Sequence, residues 1–199
     1  MERDNFECIE ENREWAFENV RSVEQWTHGY HRYPAKFLPN VVKKIIEDYA
    51  PNSRNVADLF AGCGTTLVEA KVHGKESIGT DINPVAQLIT KVKVTPIIPE
   101  LLQQVYDELT ACLDHFIEDD YVHIQKHERI DYWFFPSEKA KLAFLFETVG
   151  KLNADDSIKD FFFVCKKIGE EAEQCFDFTF FAREMFVFKN ICCKFSTQT

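Results

Sequence analysis

Asn55-Val56-Ala57-Asp58-Leu59-Phe60-Ala61-Gly62-Cys63-Gly64-Thr65-Thr66 reads as a strand that runs into a glycine turn and out into a helix. The small and apolar residues up to Phe60 suit a strand buried on both faces, as in a parallel sheet. Gly62 and Gly64 let the backbone turn sharply and approach a ligand closely. A helix from about Thr65 to His73 then directs its unsatisfied amides at whatever lies over the turn. Gly74 suits the position just past that helix. Further on, Ile78-Gly79-Thr80-Asp81 is a second strand ending in a carboxylate, placed where an acidic side chain can accept hydrogen bonds from ribose hydroxyls. Two strand ends facing one pocket describe a nucleotide or nucleoside site.

Working outward, Asn83 caps a further helix with Pro84 in its first turn. Residues 55 to 92 thus read strand, helix, strand, helix, a parallel unit of an α/β sheet. Upstream, Pro39 opens a helix with Val41, Val42, Ile45, Ile46 and Tyr49 on one stripe, and Pro51 stops it. Before it lies Thr27-His28-Gly29-Tyr30-His31-Arg32-Tyr33-Pro34-Ala35-Lys36-Phe37-Leu38-Pro39, dense in aromatic, basic and proline residues. This segment reads either as core filling at a helix entry or as a wall of the ligand pocket. Trp15, Phe17, Val20, Val23 and Trp26 are spaced for one face of an amino-terminal helix. Downstream, residues 99–118 form an amphipathic helix, Ser137 and Glu138 begin another through Val149, and a further apolar helix starts at Asp155. Beyond about Cys165 the composition shifts, with phenylalanines crowded between Phe161 and Phe195 and little turn punctuation. That stretch reads as a divergent or degenerate tail. The organisation expected is therefore an appendage (1–27), a ligand-binding core (28–98), a helical region (99–164) and the tail (165–199).

With 199 residues the chain has room for one domain with a real core. No apolar run reaches the length of a membrane span, and no leader-like block follows the charged start, so a cytoplasmic location is expected. The seven cysteines lack paired ligand spacing, and His115, His123 and His127 define no tetrahedral set, so no metal is expected. The net charge of −10 opposes nucleic-acid binding by the surface as a whole. The stretch His28 to Arg54 runs against that trend with His31, Arg32, Lys36, Lys43 and Lys44; by count it is a solvated basic face.

Three motifs together, His31-Arg32-Tyr33-Pro34-Ala35-Lys36-Phe37, Asp58 through Ala70, and Gly79-Thr80-Asp81-Ile82-Asn83-Pro84, resemble bacterial DNA methyltransferases that modify the exocyclic amine of cytosine or adenine. The resemblance covers residues 28 to 95 and extends more loosely to about 164. It implies a Rossmann-like α/β methyltransferase fold, here an incomplete parallel sheet flanked by helices, with S-adenosylmethionine as cofactor and DNA as partner in a restriction-modification setting. It further implies that Ala61, Gly62, Cys63 and Gly64 pass beneath the methionine part of the cofactor, flanked by Phe60 and Thr65. Asp58 holds the polar side of the pocket, Asp81 takes the ribose hydroxyls, Ile82 lies against the adenine, and Asn83 follows. Tyr33, Pro34, Ala35 and Phe37 belong to the segment that closes over the methionine end. The family's Asp/Asn/Ser-Pro-Pro-Tyr loop, which binds the target amine, has no counterpart, since no Pro-Pro pair occurs in the sequence. The chain is expected to hold the cofactor half and to stop before the catalytic motif. Two alternatives stay open: a non-catalytic S-adenosylmethionine-binding half working beside a second chain, and an RNA (tRNA) amine methyltransferase. A dinucleotide oxidoreductase fits poorly, because Leu67 stands where the third fingerprint glycine belongs.

Overall fold

Prolines and short polar caps set most of the helix starts. A computed structural model describes residues 12–18, 25–29, 31, 36–121, 132 and 134–171, with the side chains of 165–171 left out. Helix α1 (Pro39–Tyr49) has Pro39 in its first turn, where a missing N–H costs nothing. Strand β1 (Asn55–Asp58), helix α2 (Thr65–Val72), strand β2 (Glu76–Gly79) and helix α3 (Pro84–Val94) follow. At the head of α3, the Asn83 side chain accepts the Val85 N–H at 3.0 Å, the cap its sequence predicts. At the foot of α2, Gly74 sits at φ +67°, left-handed backbone that favours glycine.

The two strands pair in parallel with Asn55 opposite Glu76 and Asp58 opposite Gly79. Helix α2 packs on both strands and is flanked by α1 and α3. This is the expected mixed α/β arrangement, a parallel sheet flanked by helices. The burial differs from expectation. Asn55 and Ala57 are exposed on β1, and Ile78 of β2 is 68% exposed, so neither strand is buried on both faces. The reason is geometric: among the described residues the sheet has only these two strands, and α2 covers one side. Strand β1 also ends at Asp58, leaving Leu59 and Phe60 in the turn.

The main core lies on the other side of α3. Helices α4 (Pro99–Leu113), α5 (Pro136–Lys151) and α6 (Asp156–Glu171) bring Leu102, Val105, Leu109, Val149, Phe161 and Phe162 against Ile89 and Val92 of α3. Burying each of these phenylalanines is worth about 1.5–3 kcal/mol. An exposed ion pair, Lys91 to Asp160 at 2.6 Å, joins α3 to α6. Helix α6 runs through position 165 to Glu171, and residues 172–199 lie outside the described ones. At the amino-terminal end, only Arg13–Trp15 is helical among the described residues, as a 3-10 turn. Phe17 and Trp26 take φ values of +50° and +57°, which interrupt a continuous helix there. Trp15 instead rests against Tyr49 of α1, with the Lys44 ammonium over its ring. No helix among the described residues is long and apolar enough to cross a membrane.

Candidate functional site

The ends of β1 and β2 are joined by a short ladder of hydrogen bonds. Thr80 N–H donates to Asp58 O and Ala61 N–H to Thr80 O, both at 2.9 Å, and Thr80 Oγ1 donates to Leu59 O. The chain then folds into the glycine turn: Gly64 N–H closes onto Ala61 O at 2.8 Å, with Gly62 at φ +51° and Gly64 at +80°. From below, Thr90 of α3 donates its hydroxyl to Gly62 O at 2.9 Å. A Cβ on Gly64 would sit 2.7 Å from the Thr90 methyl, so Gly64 is required by the packing of the turn on α3. Gly79 is equally confined, with Ala61 Cβ 2.8 Å from where its own Cβ would be. The sequence presents Gly79 as an ordinary strand residue; its role comes from the turn packed across it.

Asp81 is the link between the two halves. Its Oδ2 accepts the Gly62 N–H at 2.9 Å, and its Oδ1 accepts the Asn83 N–H at 2.8 Å. Gln87 of α3 donates to its backbone carbonyl. A carboxylate has about four acceptor positions, so two backbone bonds leave capacity for two hydroxyls. On the other strand end, Asp58 Oδ1 accepts the Phe60 N–H at 3.0 Å, which shapes the bend before the turn. Phe60 is 90% exposed and Ile82 is fully exposed, two large apolar faces without covering atoms among the described residues.

A cavity of about 600 Å³ opens between α1, β1 and the glycine turn. It is bounded by Phe37, Asp58, Phe60, Ala61, Gly62, Cys63 and Thr65 among the residues singled out in the sequence, and by Lys36, Val42 and Ile46. Its size is in the range of small-molecule sites. Gly64, Asp81, Ile82 and Asn83 are outside its lining; Asp81 reaches it through the bond to Gly62. Tyr33, Pro34 and Ala35 lie outside the described residues, as do His123 and His127.

Several site-supporting residues were not apparent from sequence. His28 and Glu69, 41 positions apart, meet at 2.7 Å, both buried. The only signal for them was a carboxylate set among Leu67, Val68 and Ala70 on α2. Lys93 of α3 is buried, and its Nζ has no hydrogen-bond partner among the described residues. Burial pushes its pKa below the usual lysine value; the nearby Cys63 thiol opposes that shift and Lys36 adds to it. Of the basic stretch, Lys44 pairs with Asp48 at 2.8 Å and Lys43 stands 3.8 Å from Glu47, so much of its charge is met by α1 itself. Such exposed pairs add little stability.

One comparison with known proteins has bounds that take in this region. The family model described as DNA methylase, of the N6_N4 type, matches residues 5–91. Among curated proteins, the type II methyltransferase M.MvaI of Kocuria varians is 34% identical over 163 residues, which is 77% of this chain and 36% of that protein. M.MjaII of Methanocaldococcus jannaschii is 40% identical over 67 residues, covering 34% of this chain and 13% of that protein. M.BsoBI of Geobacillus stearothermophilus is 30% identical over 103 residues, covering 50% of this chain and 20% of that protein. The chain therefore spans roughly a third of the first relative's length and less of the others. No solved structure gives a significant match.

Proposed function

From the match of residues 5–91 to the DNA methylase model we infer that the chain binds S-adenosylmethionine at the glycine turn and presents its methyl group to an exocyclic amine of cytosine or adenine in DNA. The observation that carries this reading is Asp81, whose carboxylate accepts the Gly62 N–H while keeping acceptor capacity for ribose hydroxyls. That one side chain ties the second strand end to the turn, as a nucleoside site requires. The other residues fit the same ligand. The exposed face of Ile82 suits an adenine, and the cavity wall of Phe37, Ala61, Gly62 and Cys63 suits the methionine part.

Bound there, S-adenosylmethionine supplies an activated methyl group for transfer to nitrogen. The work of this chain is orientation. Gly62 and Gly64 let the backbone pass close under the ligand, Thr90 and Asp81 fix the turn from both sides, and Asp58 sets the bend that leads into it. The acceptor side needs groups that hold the amine and receive its proton, and none of the 199 residues forms the Pro-Pro-Tyr loop that does so in the family. We therefore assign the donor-binding part to these residues and the acceptor-binding part to sequence beyond them, on the same polypeptide or on a second chain.

Isothermal titration with S-adenosylmethionine, alongside a methylation assay on unmethylated DNA, tests this. Cofactor binding without methyl transfer, with transfer restored by a fragment carrying the missing loop, is the expected result. Absence of cofactor binding by the folded chain would overturn the reading. Methyl transfer by these 199 residues alone would overturn the division of labour.

A further inference from the structure

Glu69 is 4% exposed, on a helix whose other buried residues are Thr65 in its first turn and the apolar Leu67, Val68 and Ala70. Burying a carboxylate is costly unless it is paired, and a leucine there would have served the packing. Its one short side-chain contact among the described residues is His28 Nε2, at 2.7 Å from Oε1. His73 does not compete. Its Nδ1 lies 2.7 Å from the backbone carbonyl of Glu69, which only accepts, so Nδ1–H is spent there; the second carboxylate oxygen is 3.9 Å away. The far nitrogen of His73 faces Glu47 at 3.5 Å. His28 is completely buried, and its Nδ1 has no partner among the described residues. A carboxylate oxygen only accepts, so Nε2–H donates to Glu69, and that bond orients the imidazole.

What His28 does with this fixed position is seen in its backbone. The His28 carbonyl accepts the Lys36 ammonium at 3.0 Å. Next to it, the Thr27 hydroxyl donates to Lys93 O at 3.1 Å. Lys36 and the adjacent Phe37 line the cavity together with the glycine turn. A continuous set of contacts thus leads from a buried carboxylate on α2 to the cavity lining at Lys36. We propose that Glu69 is a positioning residue for the cavity wall formed by Lys36 and Phe37, acting through His28. The proposal rests on the cofactor reading above for the identity of the ligand, and on the contacts alone for the positioning.

The test uses the full chain with Glu69→Met, which keeps volume and removes the acceptor, Glu69→Gln, which keeps an acceptor, Lys36→Met, and the Glu69→Met/Lys36→Met double variant. Two quantities are measured: S-adenosylmethionine affinity by calorimetry, and amide hydrogen exchange of the peptide containing Lys36, Phe37 and Leu38 without ligand. Glu69→Met is expected to raise Kd roughly tenfold, the scale of one lost hydrogen bond to a charged group. It should also speed exchange at residues 36–38. Glu69→Gln should stay within about threefold of the parent in affinity, because an amide oxygen can still accept the Nε2 proton. In the double variant the loss should be no larger than for Lys36→Met alone, since both act on the same wall. A general weakening of the fold would instead multiply the two losses. Parent-like binding by Glu69→Met, or full multiplication in the double variant, overturns the proposal. If Glu69→Met is recovered unfolded, Glu69→Gln decides: parent-like exchange and affinity support the proposal, and a tenfold loss overturns it. If the parent itself fails to bind, the cofactor reading falls, and the exchange comparison still settles whether Glu69 positions residues 36–38.

Discussion

Replacing Gly79 by alanine adds one methyl group at the point where the second strand passes beneath the glycine turn. Its Cβ would lie 2.8 Å from Ala61 Cβ and 2.9 and 3.0 Å from the two Leu67 methyl carbons. Carbon atoms prefer separations of about 3.5–4.0 Å, so three contacts fall inside the repulsive wall. Leu67 can rotate to relieve its share, although it is buried. Ala61 cannot, because its Cβ moves only with the backbone, and that backbone is held by the bond from Ala61 N–H to Thr80 O. Relief therefore requires the turn to shift by several tenths of an ångström. Overpacking of this kind costs about 1–3 kcal/mol. With a urea m-value of roughly 2 kcal/mol/M for a domain of this size, the midpoint of unfolding should fall by about 0.5–1.5 M. The displaced turn should also weaken S-adenosylmethionine binding. Urea unfolding followed by circular dichroism reads the stability, and calorimetry reads the affinity. Adding Ala61→Gly should restore part of both, because it removes the immovable atom. An unchanged midpoint for Gly79→Ala, or no recovery in the pair, would refute the argument.

Three further outcomes follow from the same geometry. Asp81→Ala removes the acceptor of Gly62 N–H and Asn83 N–H; it should weaken S-adenosylmethionine binding by roughly 1–3 kcal/mol and also lower the unfolding midpoint, and a folded variant of parental affinity would remove Asp81 from the site. Gly64→Ala should destabilise by about 1–3 kcal/mol, through left-handed backbone and contact with Thr90; adding Thr90→Ser should recover only a fraction of the steric part, because the methyl at 2.7 Å goes while the hydroxyl oxygen at 2.8 Å stays, and thermal unfolding of the single and double variants checks this. Lys93 has a folded-state pKa below its unfolded value of 10.5, so between those two values the unfolded chain binds more protons. Stability from this group therefore rises with pH through that window and is lost as pH falls through it. Lys93→Met should flatten that part of the profile and be more stable than the parent at about pH 7, as urea unfolding at several pH values would show.

What could be read in the sequence was mostly what depends on neighbours a few residues away. Pro39, the Asn83-Pro84 cap and Gly74 each act within one turn of helix, and each does what its residue type predicts. The glycine turn and the carboxylate after the second strand were legible for the same reason. The burial of β1 and β2 was not, because it is set by what lies beside the strands; Ile78 reads as a core residue and is largely exposed. The amino-terminal aromatics have helical spacing, yet the positive φ angles of Phe17 and Trp26 break the helix that spacing suggests. In sequence His28 reads as one more member of a basic stretch, because its partner Glu69 is remote. Thr90 carried no signal at all, since its hydroxyl acts on a carbonyl 28 residues earlier.

The pairing of β1 with β2 also bears on how the site comes apart. A ladder of four residues on each strand is too small to persist in water unaided. Its described partner is α2, which packs on both strands and begins at the glycine turn itself. The amides of Ala61, Gly64 and Thr80 should therefore exchange with solvent at the rate of the α2 amides, as one cooperative opening unit. Measured residue by residue, their protection would report whether the turn is ever lost while the helix behind it stays folded.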